Sequence, residues 1–238
     1  MESHELSIPA GTVNSKSLMV MPKGGGPHPA VLIFPQWSGR SPAEDEFAEK
    51  LAKLGYIAVS CDLYGDGRRG ADQDENQALM NVLMEDRGEL RTRLTDLTRA
   101  VSETPDVDGE RVGAAGFCFG GLCAVDLARA GADIRCAASF HGLFGKPDGL
   151  PEPDIKASIA LYHGWADPMA PPADLTMIAE ELTARGADWY VMGFGHAVHA
   201  FTREDAGDDR GSGIAYDVEA DQRSWRDFTG LLETTLHR

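Results

Sequence analysis

Continuous apolar runs alternate along the chain with stretches in which apolar residues recur every three or four positions. The run AVLIF at 30–34 predicts a buried strand, ended by Pro35. Ser41 then offers an N-cap, with Pro42 at the first helical position and Glu44 three residues on, which together make a capping box. Phe47, Leu51 and Leu54 follow at helical spacing, and Gly55 stops the helix. The run YIAVSC at 56–61 predicts the next strand, and the Asp-, Gly- and Arg-rich segment 62–73 a loop. Helical patterning runs from about residue 76 to 104 with a break near Arg87-Gly88. A turn follows at 105–109, then a strand at 111–117 and a helix at 119–130 stopped by Gly131. Strands are predicted at 136–140 and 158–163, a helix at 173–184 ending before Gly186, and a strand at 188–192. A polar, glycine-rich loop at 195–213 precedes a final helix at 218–236.

Strand and helix in repeated alternation imply the α/β class, with a mainly parallel central sheet covered by helices on both faces. The whole of residues 1–238 is expected to form one domain. Right-handed crossovers bring the C-terminal ends of the strands to one edge, where ligands bind. Residues just after strands therefore carry most weight, and Cys118, Asp167 and His199 all fall there.

Composition narrows the partners. The chain has 238 residues, 42% of them hydrophobic, and a formal net charge of -16. A surface this acidic repels phosphate backbones and anionic membranes, so neither nucleic acid nor a membrane is an expected partner. The N-terminal residues lack the basic and apolar blocks of a signal peptide. No apolar run approaches the roughly 20 residues of a membrane helix. A cytoplasmic location follows as an expectation. The four cysteines, Cys61, Cys118, Cys123 and Cys136, show no zinc spacing and read as free thiols. No set of His, Asp and Glu has metal-ligand spacing either, so no metal and no cofactor are expected.

Cys118 stands apart from the other cysteines through its neighbours. Gly116-Phe117-Cys118-Phe119-Gly120-Gly121 joins a predicted strand to a predicted helix. This is the G-x-nucleophile-x-G elbow with cysteine at its centre. The turn needs glycine two residues before and two after the nucleophile, because Cβ atoms there would meet neighbouring chain. It also aims the sulfur at a helix N-terminus, whose free N–H groups favour a thiolate and can hold an oxyanion. The backbone N–H of Phe119 is the expected first oxyanion donor. The second should come from the loop after Phe34, near Gln36 and Trp37, with Trp37 assigned the role. A thiol nucleophile needs a base, and the base an orienting group. The order nucleophile, acid, histidine is met by Cys118, then Asp167 in HGWADP, then either His196 or His199 in GHAVHAF. His141 and His163 end strands and read as hydrogen-bonded loop or core histidines.

GFCFGG, HGWADP and the His199-Ala200-Phe201-Thr202-Arg203 segment together resemble the dienelactone hydrolase family, the carboxymethylenebutenolidases. The resemblance covers most of the chain, from AVLIF to the terminal helix. It implies a compact α/β-hydrolase fold without a large lid, no cofactor, and a monomer or homodimer acting on a small ester or lactone. The best-known family activity is hydrolysis of a dienelactone to maleylacetate. The resemblance selects His199 over His196 and implies that Arg203 grips a substrate carboxylate, which a guanidinium can do with two parallel hydrogen bonds.

Two features depart from the family pattern. Where the best-known members have a glutamate that helps activate the thiol, this chain has Gln36, which cannot accept a proton from a thiol at neutral pH. A second family arginine has only Arg68, Arg69 and Arg87 as candidates. Gln36 and Trp165 are expected to touch substrate beside Arg203, and Trp37, Trp165 and Phe119 to line an aromatic pocket. The expected activity is thus a cysteine hydrolase forming a thioester acyl-enzyme. The alternatives are a broad-range small carboxylesterase or thioesterase, a catalytically silent binding module, and a redox sensor with Cys123 as resolving thiol.

Overall fold

The apolar runs at the centre of the chain become strands buried almost throughout. In the computed structural model, which describes residues 1–237, the strands are β1 (Glu2–Ala10), β2 (Val13–Met21), β3 (His28–Phe34), β4 (Ile57–Ser60), β5 (Val107–Phe117), β6 (Cys136–Phe140), β7 (Ser158–Gly164) and β8 (Trp189–Phe194). They form one sheet in the order β1-β2-β4-β3-β5-β6-β7-β8. The β1–β2 and β2–β4 pairings are antiparallel and every pairing from β4 to β8 is parallel.

Successive side chains of a strand leave on opposite faces, and here both faces are apolar. Ala30, Leu32 and Phe34 of β3 enter one core layer, while Val31 and Ile33 enter the other. The first layer is completed by α2 (Gln73–Glu85), α3 (Arg87–Ser102), α4 (Phe119–Arg129) and α5 (Pro172–Ala184). The second is covered by α1 (Pro42–Lys53) and α6 (Val218–Leu236), through Ala48, Leu51, Phe228 and Leu232 among others. The Ser41 capping box forms as expected: Glu44 accepts from the Ser41 N–H while Ser41 caps the helix from outside. Such a cap contributes about 1 kcal/mol.

Several boundaries differ from the sequence expectation. β1 and β2 make an N-terminal hairpin that the apolar pattern does not announce. β1 lies at the sheet edge with most of its residues exposed, and β2 turns Ser15 and Ser17 inward, where their hydroxyls bond each other at 2.7 Å. α2 starts at Gln73, inside the segment expected to be loop, because the Asp72 side chain caps it by accepting from the Glu75 N–H. β5 takes in residues 107–109, expected as a turn, since Val107 pairs with His28 across an irregularity in the ladder. β8 runs on to Phe194, extended by pairing with Gly164 of β7. Among the described residues, no helix is long and apolar enough to cross a membrane.

Candidate active site

The elbow after β5 is set by close backbone approach. A Cβ on Gly116 would lie 2.0 Å from the Gly120 carbonyl oxygen, and one on Gly120 would lie 2.0 Å from the carbonyl oxygen of Phe34 at the end of β3. Neither contact has a flexible side chain that could give way, so glycine is required at both positions. Between them Cys118 adopts φ +54°, a left-handed conformation unusual for a residue with a side chain. Its N–H donates to Phe140 O at the end of β6, and its carbonyl accepts from Gly121 and Leu122. Cys118 is only half-buried, whereas Cys61, Cys123 and Cys136 are fully buried. Burial pushes the Cys123 thiol well above its usual range, so it is a poor partner for thiol exchange.

Phe119 is the first residue of α4, where a helix leaves its N–H groups without intrahelical partners. On the facing loop after β3, the Gln36 N–H is turned to Glu44 Oε1 at 3.4 Å. The Trp37 N–H makes no hydrogen bond among the described residues, while the Trp37 carbonyl accepts from Tyr64 Oη at 2.7 Å. Two N–H groups on neighbouring segments are thus left for a ligand.

Asp167 sits in the turn after β7 and is 2% exposed. Its Oδ1 accepts from the Met169 N–H at 2.8 Å, and its Oδ2 lies 2.8 Å from His199 Nδ1. The turn is tied to the loop after β8 by hydrogen bonds from Trp165 N to Phe194 O and from Ala166 N to Ala197 O. His199 is 3% exposed and is held by its own backbone, its N–H on Gly213 O and its carbonyl accepting from Ala215. Burial disfavours charge on this imidazole, but the Asp167 hydrogen bond and the neighbouring Cys118 sulfur outweigh it and push its pKa up to about 10. Nε2 is buried without a hydrogen bond of ordinary geometry among the described residues, and Cys118 is its neighbour. His196, the competing histidine, is exposed and lines a separate hollow with Asp208, Arg210 and Tyr216.

A cavity of about 880 Å³ opens beside this centre and is lined by Gln36, Glu44, Arg69, Thr202 and Arg203, with Phe117, Phe140 and Trp225 among its apolar residues. The Arg203 guanidinium is gripped by Asp205, with Nε 2.9 Å from Oδ1 and a second contact from the guanidinium to Oδ2. Trp165 is 51% exposed and does not line this cavity. Of the three residues expected to touch substrate, Gln36 and Arg203 share this cavity and Trp165 lies outside its lining. Of the candidates for a second arginine, Arg87 is committed to Asp126 and Gly145 O and Arg68 to Glu75, while Arg69 lines the cavity. Tyr64 is not marked by any motif in the sequence, and only its place in the loop after β4 points to this edge. Glu44 is more than a helix cap: it is buried, and its charge reaches Arg203.

The sequence profile of the dienelactone hydrolase family matches residues 16–236. The chain belongs to that family. A Synechocystis protein named provisionally as a carboxymethylenebutenolidase is 27% identical over 97% of this chain and 96% of its own. The solved structure named m3DLH has a TM-score of 0.90 at 30% identity, covering 99% of this chain and 98% of the other. A dienelactone hydrolase-like promiscuous phosphotriesterase from metagenomic libraries has the same TM-score and identity, with 98% of each chain covered. As a dienelactone hydrolase family member with this α/β-hydrolase fold, the protein is a hydrolase of ester or lactone bonds.

Proposed function

We propose that this hydrolase cleaves a small ester or lactone with Cys118 as nucleophile, His199 as base and Asp167 as the group that orients the base. The reading rests on one observation above others: the buried Asp167–His199 pair at 2.8 Å leaves Nε2 for the neighbouring Cys118 at the start of α4. Nε2 takes the thiol proton, and the sulfur attacks the carbonyl carbon. The C–S bond forms as the carbonyl electron pair moves onto oxygen, where the Phe119 and Trp37 N–H groups stabilise it. Collapse expels the alkoxide or enolate, which takes the proton back from His199 and leaves a thioester. A water then gives its proton to His199 as it attacks the thioester, and collapse releases the acid and the thiolate.

Gln36 cannot serve as a proton acceptor, so activation of the thiol falls to His199 and to the N–H groups at the start of α4. Substrates with stabilised leaving groups, such as enol lactones and aryl esters, suit this chemistry. Arg203, at the cavity beside Cys118, selects those that carry a carboxylate. The test is burst kinetics on p-nitrophenyl acetate, followed by assays against cis- and trans-dienelactone. Cys118→Ala is expected to abolish the burst and the turnover; wild-type turnover by this variant would overturn the assignment.

A second reading is favoured by the 30% identical phosphotriesterase that covers 98% of this chain. The same thiolate attacks the phosphorus of an activated aryl phosphotriester and expels the phenol. Release of p-nitrophenol from paraoxon, absent in Cys118→Ala, is its measurement.

A further inference from the structure

Two buried histidines at the C-terminal edge take no part in the steps above, and one of them, His141, touches two pieces of the machinery. It follows Phe140 at the end of β6, and its N–H donates to Tyr162 O at 2.9 Å. It is fully buried, yet its backbone is left-handed at φ +39°. A non-glycine residue is held there only when its surroundings dictate it, and such strain gathers at functional sites. Among the described residues the other left-handed non-glycine residues are Cys118, Ala200, next to His199, and Asp66 in the loop after β4.

The side chain explains what the strained backbone delivers. His141 Nε2 lies 2.8 Å from Thr202 Oγ1. Its ring meets that of His199 edge-to-face, with centroids 5.1 Å apart and an interplanar angle of 70°, and meets Phe201 in the same manner at 5.2 Å. Thr202 stands between Phe201 and Arg203 and lines the cavity with Arg203. One hydrogen bond therefore joins the end of β6 to the loop that carries both His199 and Arg203.

The protonation of His141 follows from its partners. Nδ1 has no partner, so the tautomer with hydrogen on Nε2, donating to Thr202, leaves only a lone pair unmatched; the other tautomer would bury an unpaired N–H, which costs more. Burial, then the facing groups His199, Arg203 and His163, hold the imidazole well below the usual histidine range. It stays neutral beside a histidine that gains and loses a proton. A side chain needed for packing alone would bring no polar atom here and would not call for a left-handed backbone.

We infer that His141, acting through Thr202, is a positioning residue that fixes the His199 ring plane and the path of residues 199–203. The proton acceptor and the Arg203 guanidinium then meet the substrate in one set relation. This rests on the reading of His199 as the base.

Thr202→Val is nearly isosteric and sits at a partly exposed position, so it tests the bond with little threat to folding. Loss of one positioning hydrogen bond lowers kcat on p-nitrophenyl acetate by about tenfold, with KM within about twofold. The same variant raises KM for an aryl ester bearing a distal carboxylate. His141→Phe keeps a ring and loses the bond, and is impaired at least as much. His141→Gln places an amide near the Nε2 position and recovers most of the rate. Combining Thr202→Val with His141→Phe gives no further loss. If folded Thr202→Val and His141→Phe keep wild-type kcat on both esters, or if their losses simply multiply, the positioning role is wrong. His199→Ala separates the two claims. Wild-type rates in His199→Ala sink the base assignment itself, whereas an inactive His199→Ala beside an unimpaired Thr202→Val sinks only the role of His141.

Discussion

The Tyr64 hydroxyl donates a 2.7 Å hydrogen bond to the Trp37 carbonyl, and this bond pins the Trp37–Ser38 peptide in the loop whose Trp37 N–H is the proposed second oxyanion donor. Tyr64 is itself placed by Asp62, a buried carboxylate that accepts from the N–H groups of Tyr64, Gly65 and Gly67. Tyr64→Phe keeps the ring and frees the Trp37 peptide to tilt. Loss of a bond of this kind is expected to lower kcat by about tenfold on activated esters and to leave KM nearly unchanged. Steady-state kinetics check this; an equal change in KM instead would place Tyr64 in ground-state binding.

The raised pKa of His199 predicts the alkaline limb of activity. The group is pushed up to about 10, so above that pH the imidazole is neutral and has no proton to give the leaving group. The pH profile of kcat/KM should fall with an apparent pKa near 10. Asp167→Asn removes the charge that holds the proton and moves this limb down by about 1–3 units, while kcat drops on the order of 10⁴-fold as the ring loses its orienting carboxylate. The sign for stability is the same. A pKa raised on folding contributes stability that is whole below about 6.5, its ordinary value, and is lost as pH rises through about 10.

Much of this arrangement follows from the sequence, and the exceptions share a cause. The central strands, the elbow and the terminal helix 218–236 are local patterns in which each residue is dictated by its near neighbours. The edge hairpin is different: β1 has few buried residues, and only the sheet beside it makes it a strand. The same holds for contacts between distant segments. The bond from His141 to Thr202 spans 61 positions, and that from Tyr64 to Trp37 spans 27. Asp205 was invisible for another reason, because a carboxylate two residues from an arginine looks like ordinary surface charge until both are seen at the cavity.

On the proposed role of Arg203, Asp205 competes with a substrate carboxylate for it. It already occupies the guanidinium fork as a substrate carboxylate would, and its side chain is mostly exposed. A pair this exposed is worth at most about 1 kcal/mol, so a substrate can displace it at modest cost. Asp205→Asn should lower KM for a carboxylate-bearing aryl ester by about two- to fivefold and leave neutral esters alone. Equal effects on both esters would show that Arg203 does not read the substrate charge.

The clash distances at Gly116 and Gly120 bear on how this enzyme can be diversified. With backbone only 2.0 Å from either imagined methyl, no other amino acid fits at those two sites, whatever is changed around them. A mutational library that randomises the elbow will lose most of its members to misfolding. Variation in substrate range has to be sought instead at cavity positions away from the elbow and the loops that support it, such as Arg69, Gln222 and Trp225.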